Sequence, residues 1–114
     1  MLPKERRIVK LSEWNKLHKR GIGAHSAEIV LKYIKNNTKI TRFGFIVSTK
    51  ISKKAVDRNL IKRRMRDVIE KKLSNIKEGY DVILIAKVKI KSNNYSEIEQ
   101  MINQLLRKER LLTR

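Results

Sequence analysis

Cysteine is absent from the 114 residues. Disulfides, thiolate metal sites and a cysteine nucleophile are therefore excluded. Acids are scarce, 11 against 29 lysines and arginines, so few carboxylates remain to hold a divalent metal directly. The two histidines, His18 and His25, have no paired carboxylates at metal-ligand spacing and read as surface or half-buried residues. No glycine-rich phosphate loop occurs, and Asp57 beside Arg58 reads as a local ion pair or a capping acid. No catalytic constellation remains, so the polypeptide alone does not look like an enzyme. No apolar run approaches the ~20 residues of a membrane span, and no apolar signal segment follows the charged start. A membrane partner and export are not expected, which leaves the cytoplasm. The single proline, Pro3, falls in an expected extended arm. Aromatics are few: Trp14, Tyr33, Phe43, Phe45, Tyr80 and Tyr95.

What is present is positive charge, +18 in all, in a chain with 40% hydrophobic residues. Length and composition suit one domain, 1–114, with one modest core. Self-repulsion at this charge opposes the compact state, so a polyanionic partner is its natural reason. The stretch from Ser48 to Leu73 concentrates it: Lys50, Lys53, Lys54, Arg58, Lys62, Arg63, Arg64, Arg66, Lys71 and Lys72, opposed by Asp57, Asp67 and Glu70. An apolar spacing runs through the same stretch. At ~100° per residue, Ile61, Met65, Val68 and Ile69 share one helical face. Such a helix docks on a fold and presents a rigid cationic surface, as nucleic-acid binding requires. Arginine adds bidentate donors for phosphate. Trp14 and Tyr33 are the candidates for stacking in an exposed groove, with core packing as the alternative.

The remaining pattern predicts an α+β domain. Ser12 caps a short helix stopped by Gly21, and Gly21–Gly23 turns the chain. Residues 29–35 form a strand with Ile29, Leu31 and Tyr33 on one face. Asn36-Asn37-Thr38 turns. A second strand runs over 42–49, with Phe43, Phe45 and Val47 alternating, and residues 39–41 start it or form a short strand of their own. Ser52 caps the basic helix, which extends to Leu73. Residues 82–86 are apolar on both faces, as in a buried strand beside a parallel neighbour. Ser96 and Glu99 form a capping box for a helix burying Ile98, Met101, Ile102, Leu105 and Leu106. The order is α-β-β-(β)-α-β-α.

The run from Arg58 to Arg66, Arg-Asn-Leu-Ile-Lys-Arg-Arg-Met-Arg, closely resembles the signature of the bacterial ribonuclease P protein family, Arg-Asn-Arg-x-Lys-Arg-x-x-Arg. Arg58, Asn59, Lys62, Arg63 and Arg66 match, and Leu60 stands where the family has a second arginine. Arg42 to Lys50 resembles the family's Arg-x-Gly-x-x-Val-Ser-Lys-Lys strand. Gly79 to Ala86 resembles its Tyr-Asp-hydrophobic strand, and Leu2-Pro3-Lys4 and the leucines at 105–106 also fit.

The resemblance implies an α-β-β-β-α-β-α two-layer sandwich with a left-handed β-α-β crossover. It implies the protein subunit of ribonuclease P, an endoribonuclease that removes the 5′ leader of precursor tRNA. Catalysis would belong to the RNA subunit, with Mg2+ bound mainly by that RNA and the substrate. The partners would be ribonuclease P RNA and precursor tRNA, with no DNA and no membrane. Arg58, Asn59, Lys62, Arg63 and Arg66 would face the catalytic RNA, with Lys50, Lys53, Lys54 and Arg64 on the same basic surface. In the leader-binding cleft, Trp14 and His18 would take the places of two family phenylalanines. Lys32 aligns with a family tyrosine, with Tyr33 as the neighbouring alternative, and Lys87 would join them. A ribosomal or general RNA-binding protein is the competing reading, and the charge alone does not separate the two.

Overall fold

The computed structural model describes residues 2–113. Its elements are α1 (Leu11–Arg20), β1 (Ile22–His25), β2 (Ile29–Lys35), β3 (Arg42–Ile46), α2 (Ala55–Lys72), β4 (Tyr80–Ala86) and α3 (Tyr95–Lys108). The order matches the α+β expectation. The four strands form one sheet in the order β1-β2-β4-β3. β4 runs antiparallel to β2 and parallel to β3, and the chain passes through α2 between the two parallel strands. Among the described residues no helix is long and apolar enough to cross a membrane.

Apolar periodicity decides the packing. α2 buries Ile61, Met65, Val68 and Ile69, the predicted stripe, and α3 buries Ile98, Ile102, Leu105 and Leu106 with Met101 half-buried. These side chains meet Ile29, Leu31, Phe43, Val82 and Leu84 in the main core. A smaller cluster of Ile8, Leu17 and Ile83, with Trp14 and Ile85 packed against it, lies under α1 on the other sheet face. Val82, Ile83 and Leu84 are therefore all fully buried. That explains why residues 82–86 of β4 are apolar at every position rather than at alternate ones.

Several boundaries differ from the sequence expectation, each for a local reason. Ile22–His25 is a strand, not part of a turn, and its Gly23 is needed. A Cβ there would sit 1.8 Å from the Leu31 carbonyl oxygen on β2. Residues 39–41 form no strand, because Asn36 holds them in a bend. Its amide donates to the Ile40 carbonyl at 2.9 Å, and its side-chain oxygen accepts from the Thr38 N–H at 2.9 Å. β3 ends at Ile46, and a turn closed by the Ile51 N–H on the Ser48 carbonyl carries Val47 and Ile51 into the core. Ser52 precedes α2 instead of capping it. Its hydroxyl donates to Asp57 at 2.8 Å and accepts from the Lys54 N–H at 3.2 Å. Lys10, not Ser12, flanks α1, where Glu13 accepts the Lys10 N–H. Asn94 and Glu97, not Ser96 and Glu99, form the capping box of α3, with both bonds at 2.9 Å. Asparagine is as good a cap as serine, and the earlier start sets Tyr95 against the core.

Two arginines tie segments together. Arg42 grips the buried Asp81 with two hydrogen bonds of 2.8 Å and also pairs with Glu13, which locks α1 to the sheet. Arg6 holds Glu78 through bonds of 2.9 and 2.8 Å. The Arg6 hydrogen bond, opposed by burial, holds the Glu78 carboxyl below its ordinary value of 4.5. A depressed carboxylate contributes stability above its unfolded value and loses it as pH falls through the lower folded value. Thermal melts between pH 6 and 3 should thus show a decline below pH 4.5 that is shallower in Glu78→Gln. Identical slopes would remove this pair from the account of acid sensitivity.

Candidate nucleic-acid interface

Because α2 spends one stripe on the core, its other residues face outward. Asn59 and Arg63 are exposed, and Lys62 and Arg66 are half-buried. None of these four forms an ion pair with the protein among the described residues. Lys50, Lys53 and Lys54 are exposed in the segment before the helix. The other two arginines are partly committed. Arg58 donates to the Ser52 carbonyl at 2.9 Å and steadies the start of α2. Arg64 turns toward the segment before α3 and reaches the Asn93 carbonyl at 3.4 Å. Leu60 (37% exposed) and Val56 (79%) interrupt the basic surface as two aliphatic side chains one turn apart.

Lys62 and Arg66 also line a cleft of about 270 Å³ at the β3 edge, shared with Arg7, Trp14 and Phe45. The amino-terminal segment forms its wall. Arg7 bridges to Phe43 in parallel, the Ile8 N–H donates to the Phe43 carbonyl, and Leu2 is buried. The Arg7 guanidinium folds back on the Leu2 carbonyl at 2.8 and 3.0 Å. Sequence reasoning missed Arg7, since nothing in the first residues signals that the arm packs beside β3. Trp14 sits over Gly44. A Cβ at that glycine would come within 2.2 Å of the indole, so only glycine admits the ring at its present depth.

Register places the other cleft candidates. Gly23, Lys32, Ile83 and Gly44 form one row across the sheet. At ~4.8 Å per strand, Lys32 lies roughly 10 Å from the glycine beneath Trp14, on the same face. His18 is exposed on α1 one turn beyond Trp14. The next row, His25, Val30, Ile85 and Ile46, has its three aliphatic members half-buried. It is an apolar floor that the sequence reading passed over, although period-two alternation in β2 carried the signal. Lys87 stands at one end, donating to the Ser26 carbonyl at 2.7 Å and 3.3 Å from His25 Nδ1.

Tyr33 does not join this group. It alternates with Lys32 and so points to the α3 side. There its hydroxyl donates to Glu109 at 3.2 Å, and its ring packs edge-on against Tyr80 with centroids 5.8 Å apart. Burial, then the Glu109 contact, pushes its phenol above the ordinary value. Of the two alternatives, Lys32 is the one on the cleft face.

The surface can neutralise phosphates along α2 and, one cleft away, offer an indole and an apolar floor to bases. A family model described as "Ribonuclease P" matches residues 2–110. The ribonuclease P protein component of Pseudanabaena sp. (strain PCC 6903) is 31% identical over 113 residues, 98% of this chain and 97% of the relative. That of Clostridium novyi (strain NT) is 34% identical over 94% of this chain and 96% of its own length. Among solved structures, a Staphylococcus aureus RNase P protein mutant with defective mRNA degradation activity superposes with a TM-score of 0.89 at 28% identity, covering 95% of this chain and 91% of the other. The RNase P protein from Thermotoga maritima, at 24% identity and a TM-score of 0.80 over 89% and 96% of the two chains, shares the fold.

Proposed function

This chain belongs to the ribonuclease P protein family, and from that premise we propose how its two surfaces serve the enzyme. It is the protein subunit of ribonuclease P, an RNA-binding protein of tRNA processing. In this reading the outer side of α2, with Asn59, Lys62, Arg63 and Arg66 and the lysines at 50, 53 and 54, docks on the ribonuclease P RNA. The 5′ leader of precursor tRNA lies on the α1 face of the sheet, over Val30, Ile85 and Ile46, beside Trp14, His18, Lys32 and Lys87. The single observation behind the reading is the shared cleft: Lys62 and Arg66 line it together with Trp14. One protein can therefore hold the catalytic RNA and an unpaired substrate strand at their junction.

Hydrolysis in this reading belongs to the RNA subunit. Magnesium ions bound there would supply metal-ion catalysis of phosphodiester hydrolysis. In this reading the ions are held by the RNA and the substrate, as the family resemblance implies. The protein's part is electrostatic and positional. Its cations relieve repulsion between crowded phosphates, which lowers the magnesium needed. Reconstitution tests this: protein, a bacterial ribonuclease P RNA and precursor tRNA at low magnesium should together produce mature 5′ ends. Protein that cleaves without RNA, or RNA that is no better with protein, would end the proposal.

Base stacking on an aromatic is worth roughly 1–3 kcal/mol. Trp14→Ala should accordingly weaken holoenzyme binding of precursor tRNA by about 5- to 100-fold and leave mature tRNA nearly unaffected. Because the indole also packs on Gly44, its loss has a structural component. Equal losses for both tRNAs would show that this component is the whole effect.

A further inference from the structure

The Tyr33–Tyr80 pair is left over by the proposed function. It lies at the end of the sheet away from the β3 cleft, where Arg20, Ile22, Tyr33, Ile34, Lys35 and Tyr80 line a concavity of about 430 Å³. That size falls within the ~300–1,000 Å³ of small-ligand sites. None of these six residues lines the β3 cleft or the α2 surface, so the concavity is separate from both.

We infer that this concavity is a second RNA contact, a seat for one unpaired nucleotide. Three observations carry it. The aromatic wall is built in advance, because Glu109 fixes the Tyr33 hydroxyl and the Tyr80 ring stands against Tyr33 at 73°. Little rotamer entropy is then lost on binding. Ile22 is 63% exposed at the rim, although its register partner Tyr33 is half-buried, so an aliphatic surface is left for a base to cover. Arg20 and Lys35 are both exposed, and neither pairs with an acid among the described residues. Two free cations flanking an aromatic and aliphatic wall match a base with its neighbouring phosphates.

The inference rests on the reading of the chain as a ribonuclease P subunit, and the test separates the two. In one arm, 4-thiouridine is placed only in the ribonuclease P RNA. In the other, it is placed only in the leader of precursor tRNA. The complex is irradiated and the crosslinked peptides are identified. A crosslink to Tyr33 or Tyr80 is expected in one arm, and that arm identifies the source of the nucleotide. The double variant Arg20→Ala/Lys35→Ala, altered only at the surface, should bind that RNA roughly 10- to 30-fold more weakly at 0.1 M salt. The salt slope should be shallower by about 1.4 units, the single-strand value for two phosphates. No crosslink in either arm, or an unchanged affinity and slope, overturns the inference. A Lys62→Ala/Arg63→Ala/Arg66→Ala variant is run in parallel. If it weakens the complex while Arg20→Ala/Lys35→Ala does not, only the second contact fails. If neither variant weakens it, the assignment of α2 fails as well.

Discussion

Replacing Lys62, Arg63 and Arg66 together with alanine is expected to weaken binding of the ribonuclease P RNA by on the order of 100-fold or more at 0.1 M salt. The slope of log affinity against log salt should become shallower by about three units, one per lost phosphate contact. These side chains make no ion pair with the protein among the described residues. Their removal should therefore cost little stability, and the melting temperature should stay within a few degrees. Arg58→Ala should behave differently. It removes the bond to the Ser52 carbonyl at the start of α2, so binding and stability should fall together. Filter binding of the triple variant across a salt series checks the assignment, and an unchanged slope refutes it.

Met65→Ala should have the largest effect on stability. Met65 has no exposed surface and lies in the core between α2, α3 and the sheet. Truncations of this kind cost about 2–5 kcal/mol, a large share of the ~5–15 kcal/mol that holds a domain together. The melting temperature should fall by roughly 10–20 °C. Leu60→Arg, five positions earlier, is the contrast. Its side chain is 37% exposed among cations, so the substitution should leave melting nearly unchanged. RNA affinity should rise modestly and the salt slope should steepen by about one unit. A loss for Leu60→Arg as large as that for Met65→Ala would mean that α2 is turned about its axis from the orientation described.

The interiors of the long elements were legible because burial imposes a period. Ile61, Met65, Val68 and Ile69 had to share a face, and the unbroken apolar run at 82–86 had to be covered on both sides. Ends were less legible, since their signals are nearly equal in energy. Asn94 with Glu97 and Ser96 with Glu99 are both credible caps, and packing of Tyr95 decides between them. β1 was hidden because Gly21 and Gly23 read as a turn. Gly23 is there to let two backbones approach, which only the pairing with Leu31 and Lys32 reveals. In the candidate site, alternation showed that Lys32 and Tyr33 face opposite ways. It could not say which face lies under α1, because that depends on contacts such as Arg42 with Glu13, far apart in sequence. Arg7 was beyond reach for the same reason. Its position follows from a bridge to Phe43, 36 residues later.

The strand order carries a further consequence, for synthesis. β2 and β3 are made early and are not neighbours, because β4 lies between them. As the chain leaves the ribosome, β1 and β2 can form a hairpin, and β3 has only the amino-terminal segment beside it. The gap between these halves closes when residues 80–86 emerge and bond on both sides at once. Until then the apolar stripe of α2 has half a sheet to lie on. Long-range pairing of this kind delays folding and leaves apolar surface open in the meantime. Nascent chains stalled with residue 74 just outside the tunnel should thus show no protected amides in β3 by hydrogen exchange, and chains released past residue 108 should show protection throughout the sheet. Protection of β3 in the shorter chain would mean that the early strands have found another way to pair.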